Sequence, residues 1–318
     1  MKAPPPPLFV SFASMDEALS AVPARYRDGI RAVMQPLTDR CLPPALSVGV
    51  VATLFGLSIP FVRAMSKNPH RYYRVFTIRK GNKKRTISSP KVALKLLQSW
   101  IGAHLSRGVQ LSDCVLGFVP GKNGVIEAAT RHCSARWVYS VDLRDFFPSI
   151  DCQRVDTALC SLGYPAQCAA FIRSVCTLNG ALPQGSPASP VLSNLVFAET
   201  DSALVQLAKE HNVRYTRYAD DLVFSGEVEV PVQLQEKVRG ILIAHGWVIA
   251  EEKEHLAELP NRLKVHGLLV HGSTPRMTKG YRNRIRAYRH LLSHGKIKSD
   301  DLAKVKGHLA YATQVEQA

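Results

Sequence analysis

Two stretches, Val141-Asp142-Leu143-Arg144-Asp145-Phe146-Phe147 and Tyr218-Ala219-Asp220-Asp221-Leu222, decide how this chain is read. In each, an aspartate stands at or just past a short run of strand formers. Trp137 to Leu143 leads into the first, and Tyr215 to Ser225 reads as strand–turn–strand with Ala219-Asp220-Asp221 at the turn. A carboxylate at the end of an apolar strand is costly to desolvate unless it is paired or bound to a cation. Three carboxylates brought together from two strands would suit Mg2+, which takes oxygen ligands and keeps positions open for phosphate. Two such ions can activate an attacking hydroxyl and stabilise the leaving oxygen. Taken alone, Asp220-Asp221 reads equally well as a pair of turn residues, because Asp favours turns.

Between the two stretches lies Leu182-Pro183-Gln184-Gly185-Ser186-Pro187-Ala188-Ser189-Pro190. Three prolines and a glycine predict a rigid loop, here leading into a helix over Pro190 to Lys209. Its Gln and backbone amides suit contact with a nucleotide or template, although physics alone does not name the ligand. Working outward, one amphipathic helix is expected from Met15 to Met34 and a pair of short helices across residues 41–68. A hairpin with five cations at its tip, Arg79 to Arg85, follows. Helices are expected over Lys91 to Leu105, over 152–178 with a break near Gly163 and Pro165, over Val232 to His245, and from Thr278 onward. Leu263 to His271 reads as one strand. Hairpins mixed with helices, without regular βαβ alternation, make an α+β fold.

The charge pattern agrees with a polyanionic partner. The chain has 318 residues and a formal net charge of +16, which points to nucleic acid or an anionic membrane surface. The excess is partitioned. Arg40 to Ser112 holds thirteen Lys and Arg and no acid, residues 113–260 hold twelve against eighteen acids, and Asn261 to Ala318 holds twelve against three. Leu42 to Val62 carries no charge over 21 residues, but its three prolines, two glycines and Ser58 read as a helix–turn–helix pair, not a membrane span. The start, Lys2-Ala3-Pro4-Pro5-Pro6-Pro7, does not read as a secretory signal. Seven cysteines without a Cys-x-x-Cys pair point to reduced thiols and a cytoplasmic home.

The order Asp142-x-x-Asp145-Phe-Phe, then Leu182-Pro-Gln-Gly-x-Pro-x-Ser-Pro, then Tyr218-Ala-Asp-Asp resembles motifs A, B and C of reverse transcriptases, over roughly residues 70–300. That resemblance implies a right-hand polymerase of fingers, palm and thumb. The segments expected are 1–40 as a helical leader, 41–135 as fingers with the basic hairpin, 136–272 as palm with the motif B loop packing towards the fingers, and 273–318 as a basic helical thumb. It implies that Asp142, Asp220 and Asp221 are catalytic and bind two Mg2+ ions, for which Mn2+ can substitute. Asp145 and Phe146 match residues lining the nucleotide pocket, Phe147 the aromatic that blocks a ribose 2′-OH, and Gln184 the glutamine beside the incoming nucleotide. Arg85 matches the arginine that grips the triphosphate, a task for which a planar fork is suited. Lys253 matches a downstream lysine that protonates pyrophosphate; the family often has Asn three residues earlier, where Ala250 stands. In this context Lys279, Arg282, Arg286 and Arg289, at three- and four-residue steps, put a basic helical face along nucleic-acid phosphates.

Within that family the chain resembles the compact retron enzymes of bacteria. These tend to carry Asn-Ala-x-x-His before motif A and Val-Thr-Gly before the thumb. Here the stretches are Ala128-Ala129-Thr130-Arg131-His132 and Val265-His266-Gly267, each with one substitution, which leaves recognition of the RNA partner open. The retron resemblance implies dNTP substrates, a cognate structured non-coding RNA, priming from a guanosine 2′-OH, and a branched RNA–DNA product. It also implies a separate effector protein in anti-phage defence, and no membrane. The rival readings are a diversity-generating or abortive-infection reverse transcriptase, a non-catalytic RNA-binding protein that kept the fold, and an RNA-dependent RNA polymerase, against which the bulky Phe147 argues.

Overall fold

The computed structural model of the chain describes residues 14–80, 83–121 and 124–318. The proline run near the start and the Gly81-Asn82 turn lie outside the described residues. Along the chain come α1 (Met15–Ser20), α2 (Ala24–Asp39), α3 (Val48–Phe55) and α4 (Ile59–Lys67), then the hairpin strands β1 (Tyr73–Lys80) and β2 (Lys83–Pro90). Next are α5 (Val92–Gly108), α6 (Gly124–Arg131), β3 (Trp137–Asp142), α7 (Cys152–Ser161), α8 (Ala166–Cys176) and α9 (Ser189–Glu210). After these come β4 (Arg214–Tyr218), β5 (Asp221–Gly226), α10 (Leu234–Ala244), β6 (His255–Glu258), β7 (Lys264–Val265), β8 (Leu268–Leu269) and β9 (Arg276–Met277). Two helices, α11 (Lys279–Ser293) and α12 (Ser299–Glu316), close the chain.

The chain divides into two compact units. The first takes residues up to Leu111 together with Asp145–Glu199; the second takes Ser112–Arg144 and Thr200–Ala318. In the first unit the chargeless stretch becomes α3 and α4. Ser47 and Ser58 cap them, each side-chain oxygen accepting a hydrogen bond from a first-turn amide, Val50 at 3.2 Å and Phe61 at 3.4 Å. The helices bury Val50, Val51, Phe55, Val62 and Met65. Among the described residues no helix is long and apolar enough to cross a membrane. The expected leader helix is two helices, because the chain turns at Ala21–Pro23 between α1 and α2.

In the second unit β3 sits inside an antiparallel sheet of order β4-β5-β3-β6. The strand buries Trp137, Val138, Tyr139 and Val141, as an interior strand covered on both faces should. One core cluster joins the sheet to the C-terminal helices, running from Val138, Val223 and Ala257 through Leu263, Val265 and Met277 to Ile285, Ala312 and Val315. The single strand expected over Leu263–His271 is instead β7 and β8. Consecutive left-handed residues, His266 (φ 47°) and Gly267 (φ 87°), turn the chain back on itself, and the strand formers on either side concealed that turn.

Candidate active site

The second unit gathers four of the residues read from the sequence. Antiparallel pairing of β3 with β5 sets Asp142 directly opposite Asp221. Tyr218 pairs with Asp221 across β4 and β5, leaving Ala219-Asp220 as a two-residue loop. The backbones of the two acidic stretches are tied where Leu143 N donates to Asp220 O at 3.1 Å. Asp142 is also held from the other side, its carbonyl accepting Ala250 N at 2.9 Å, and the turn Glu251–Lys253 that follows delivers Lys253 Nζ onto Asp142 Oδ1.

The electrostatics of this group are those of crowded carboxylates. Asp221 is pushed up to about 7 by desolvation, by the charges of Asp220 and Asp142 and by a hydrogen bond with Asp142, with Lys253 opposing. Its side chain keeps 48% of its exposure, so the neighbouring charges are the more secure cause than burial. Lys253 is raised. Burial works against its ammonium, but the hydrogen bond and charge of Asp142, then Asp220 and Asp221, outweigh it. His266 approaches Asp221 Oδ2 only to 3.8 Å, and burial pushes its imidazole down to about 4, so it is neutral near pH 7; its buried Nε2 has no hydrogen-bond partner among the described residues.

A divalent cation fits this donor set in kind: hard carboxylate oxygens, mutually repelling, one of them holding a proton that a cation would replace. The set is not closed around a point. Among the described residues no three His, Cys, Asp or Glu side chains already form a metal cage, and the Lys253 ammonium occupies the place of a cation beside Asp142.

The first unit holds the other residues read as nucleotide contacts. Arg85 is exposed on β2, opposite Ile78. The same strand is stitched to the motif B loop where Ser88 N donates to Gln184 O at 2.7 Å. Gly185 allows that approach. Its φ is +119°, and a Cβ there would lie 2.8 Å from Ser88 O. The loop is pinned from beneath by Gln98, fully buried on α5, whose Nε2 donates to Tyr73 Oη and Val175 O, both at 2.7 Å. Ser186 Oγ donates back to Gln98 Oε1 at 2.8 Å, and Ser189 Oγ donates to Pro183 O at 2.9 Å. Asp145 is exposed with φ +47°. Phe147 is half-buried, its ring 5.7 Å from that of Phe146. Phe146 corrects the sequence reading: it is 4% exposed and packs edge-on against Phe197 at 5.9 Å, so its side chain belongs to the core and backs Phe147, not the pocket lining.

On α11 the buried side is Ile285 with Tyr281 and Tyr288 packed against the core, while Lys279, Arg282, Arg286 and Arg289 are exposed. Arg289 is engaged by Glu316 of α12 at 2.7 Å, so its charge is partly answered within the protein.

Residues to which sequence reasoning gave no role at the site surround the acidic turn. His132 is fully buried, with Nδ1 2.7 Å from Ser225 Oγ and Nε2 2.8 Å from Thr216 Oγ1, and desolvation pushes its imidazole down to about 3. Arg217 and Asp201 form a fully buried ion pair. Strand period alone does not reveal which charged residue turns inward, and the Asp201 partner lies sixteen residues away on a different element.

Residues 78–275 match the family model described as reverse transcriptase (RNA-dependent DNA polymerase). The chain is 30% identical over 264 residues to the retron Ec86 reverse transcriptase of Escherichia coli, covering 82% of each protein. It is 31% identical over 286 residues to the retron Mx65 reverse transcriptase of Myxococcus xanthus, covering 81% of this chain and 65% of that one, so it spans just under two thirds of that relative's length. Among solved structures it is similar to apo telomerase from Candida tropicalis, at a TM-score of 0.49 and 10% identity, over 70% of this chain and 61% of that one. The motif order, the family-model match and the likeness to the retron enzymes place the chain in the reverse transcriptase family, the RNA-directed DNA polymerases of right-hand fold, and within it among the retron type.

Proposed function

We propose that this RNA-directed DNA polymerase copies a cognate structured non-coding RNA, primed from a guanosine 2′-OH, into a branched RNA–DNA hybrid. It would act in the bacterial cytoplasm, where dNTPs and transcript are at hand, with a separate effector in anti-phage defence. The observation that carries the polymerase chemistry is the register of β3 against β5, which sets Asp142 opposite Asp221 with Lys253 on Asp142. Asp142, Asp220 and Asp221 would hold two Mg2+ ions, or Mn2+ in their place. When bound, the ions supply Lewis-acid stabilisation of the charge that builds on the transferred phosphoryl group. Lys253, whose ammonium those acids favour, would give a proton to the departing pyrophosphate. Arg85 would pair triphosphate oxygens through its planar fork, while Gln184 and Asp145 orient the nucleotide. Catalysis here is mostly positioning and electrostatics.

Sequencing the nucleic acid that co-purifies with the chain tests the retron reading. A covalently branched RNA–DNA species from one locus is the expected result. Ordinary cellular RNA, or a mutagenised repeat copied from a neighbouring gene, would favour a different bacterial reverse transcriptase.

The helical segment 273–318 is proposed as the thumb, with Lys279, Arg282 and Arg286 against phosphates. Arg282→Glu with Arg286→Glu is expected to weaken RNA binding and to lower the slope of log affinity against log salt by about one for each phosphate no longer neutralised. Arg289→Glu should do less, because Glu316 already engages that guanidinium. Titration of RNA at several salt concentrations reads both effects, and an unaltered slope would return α11 to an ordinary solvated face.

A further inference from the structure

We infer that Arg217 is a positioning residue of the polymerase site: paired with Asp201, it fixes the turn from which Asp220 and Asp221 project. The inference rests on the polymerase reading above.

Strand β4 presents alternate residues to opposite sides. Thr216 and Tyr218 face His132 and His266, whose rings contact them. Tyr215 and Arg217 face α9. There the guanidinium forks onto Asp201, with Nε at 2.9 and 3.1 Å from the two carboxylate oxygens and Nη2 at 2.6 Å from Oδ2. Tyr215 Oη donates to Asp201 Oδ1 at 2.9 Å. Arg217 and Asp201 are both fully buried. Burial works against the guanidinium's charge, but the charge and hydrogen bonds of Asp201 outweigh it.

A buried ion pair is a poor device for stability. Desolvation consumes most of the Coulombic gain, and well-packed apolar replacements of similar volume are often as stable or more so. What the pair supplies here is a direction. The nitrogen left over after the fork, Nη1, donates to the carbonyl of Ala219 at 3.1 Å. Ala219 is the first residue of the two-residue loop and sits at φ +59°, a region that an L-residue with a Cβ avoids unless its surroundings enforce it. The turn is confined on its other side as well. Gly117 lies so close that a Cβ there would stand 2.4 Å from Ala219 N, and the Arg217 backbone is bonded on both sides to the 114–116 segment, N to Cys114 O at 2.8 Å and O from Leu116 N at 2.9 Å. The clamp therefore holds an unfavourable peptide orientation at the root of Asp220 and Asp221. Without the Nη1 donor, that peptide loses its side-chain anchor, and the root of both carboxylates is held less tightly.

The variant that separates positioning from folding replaces the whole network with apolar groups: Asp201→Leu, Arg217→Met and Tyr215→Phe together. Expected are a melting temperature at or above that of the parent chain and a KM for dNTP that changes little. Mn2+ affinity of the free protein, read by electron paramagnetic resonance, and kcat should each fall by about ten- to a hundredfold, the usual loss when a residue orienting metal ligands is removed. Arg217→Lys, which keeps the charge but not the fork, should show the same loss. Thr216→Val, on the opposite face of the same strand, is the stability control: it loses the His132 bond and melts earlier with Mn2+ affinity retained. Parental Mn2+ affinity and kcat in the apolar triple variant would overturn the inference. Should that variant not fold, an affinity loss in Arg217→Lys no larger than in Thr216→Val at matched melting temperature would overturn it equally. Failure of the parent chain itself to extend a primer would instead overturn the polymerase reading.

Discussion

Asp221→Asn is expected to abolish primer extension and, in the absence of divalent metal, to raise the melting temperature. The two effects have one origin. Asp142, Asp220 and Asp221 are held close enough that Asp221 keeps its proton up to about pH 7, whereas in an unfolded chain it would lose it near pH 4. Between those values the folded state binds more protons than the unfolded one, so stability falls as pH rises through that window. Above pH 7 the full repulsion among the carboxylates is present in the folded state. Asparagine removes the charge and keeps the shape. Its stabilisation should therefore be absent near pH 4, grow to about pH 7 and stay level beyond. Mg2+ should reverse the ranking, because a cation bound only by the folded protein raises the stability of the parent by mass action and does little for the variant. For catalysis, losing a ligand for charge stabilisation worth several kcal/mol corresponds to about a thousandfold or more in rate. Asp220→Asn should lose extension in the same way, with RNA binding retained in both. Melting scans in EDTA and in Mg2+ across pH 5–8, beside a primer-extension assay, read every arm. Retained extension would remove these carboxylates from the chemistry, and a destabilised variant in EDTA at pH 8 would remove the repulsion.

The site was legible where chemistry dictates residue type. Carboxylates at strand ends, a Pro-rich loop with Gln184, and a cation-rich hairpin each announce themselves, because few other roles require those residues in that order. The cap at Ser58 was legible for the same reason, whereas the matching cap at Ser47 came only from the structure. Geometry that arises from pairing was not. Nothing in the composition of β3 and β5 says that Asp142 falls opposite Asp221 and not a residue to either side, since register is set by the whole sheet. Arg217 was hidden because a charged residue in an alternating strand ordinarily faces water, and its partner Asp201 lies within a helix. Phe146 and Phe147 look alike in sequence, yet adjacent residues point different ways, and only packing against Phe197 shows which ring is core. The β7–β8 turn was missed because the strand formers on either side, Leu263 and Val265 before it and Leu268 to Val270 after it, outweighed Gly267, the residue there that signalled a reversal.

That difference between the two phenylalanines leads to the second large effect. Phe147→Ala is expected to admit ribonucleotides. Phe147 stands half-buried with its ring 5.7 Å from Phe146, and Phe146 is wedged in turn against Phe197, so an aromatic wall at 147 is backed by core and cannot retreat. A rigid wall is what rejection of one extra hydroxyl requires. An apolar pocket that merely fails to bond a 2′-OH discriminates weakly, whereas a steric clash adds repulsion that binding energy must overcome. Removing the ring removes the clash, and the ratio of kcat/KM for dNTP over rNTP should fall by about a hundredfold, mainly through a gain with rNTP. Because the ratio is taken on one preparation, any loss of folded protein from deleting a half-buried ring cancels. Phe147→Tyr keeps the ring and should keep the discrimination. Phe146→Ala works the other way round: it should lower the melting temperature as a core truncation does, by about 3–5 kcal/mol of stability, and should erode discrimination only through the support it withdraws from its neighbour. An unchanged dNTP preference in Phe147→Ala would mean that sugar selection resides elsewhere.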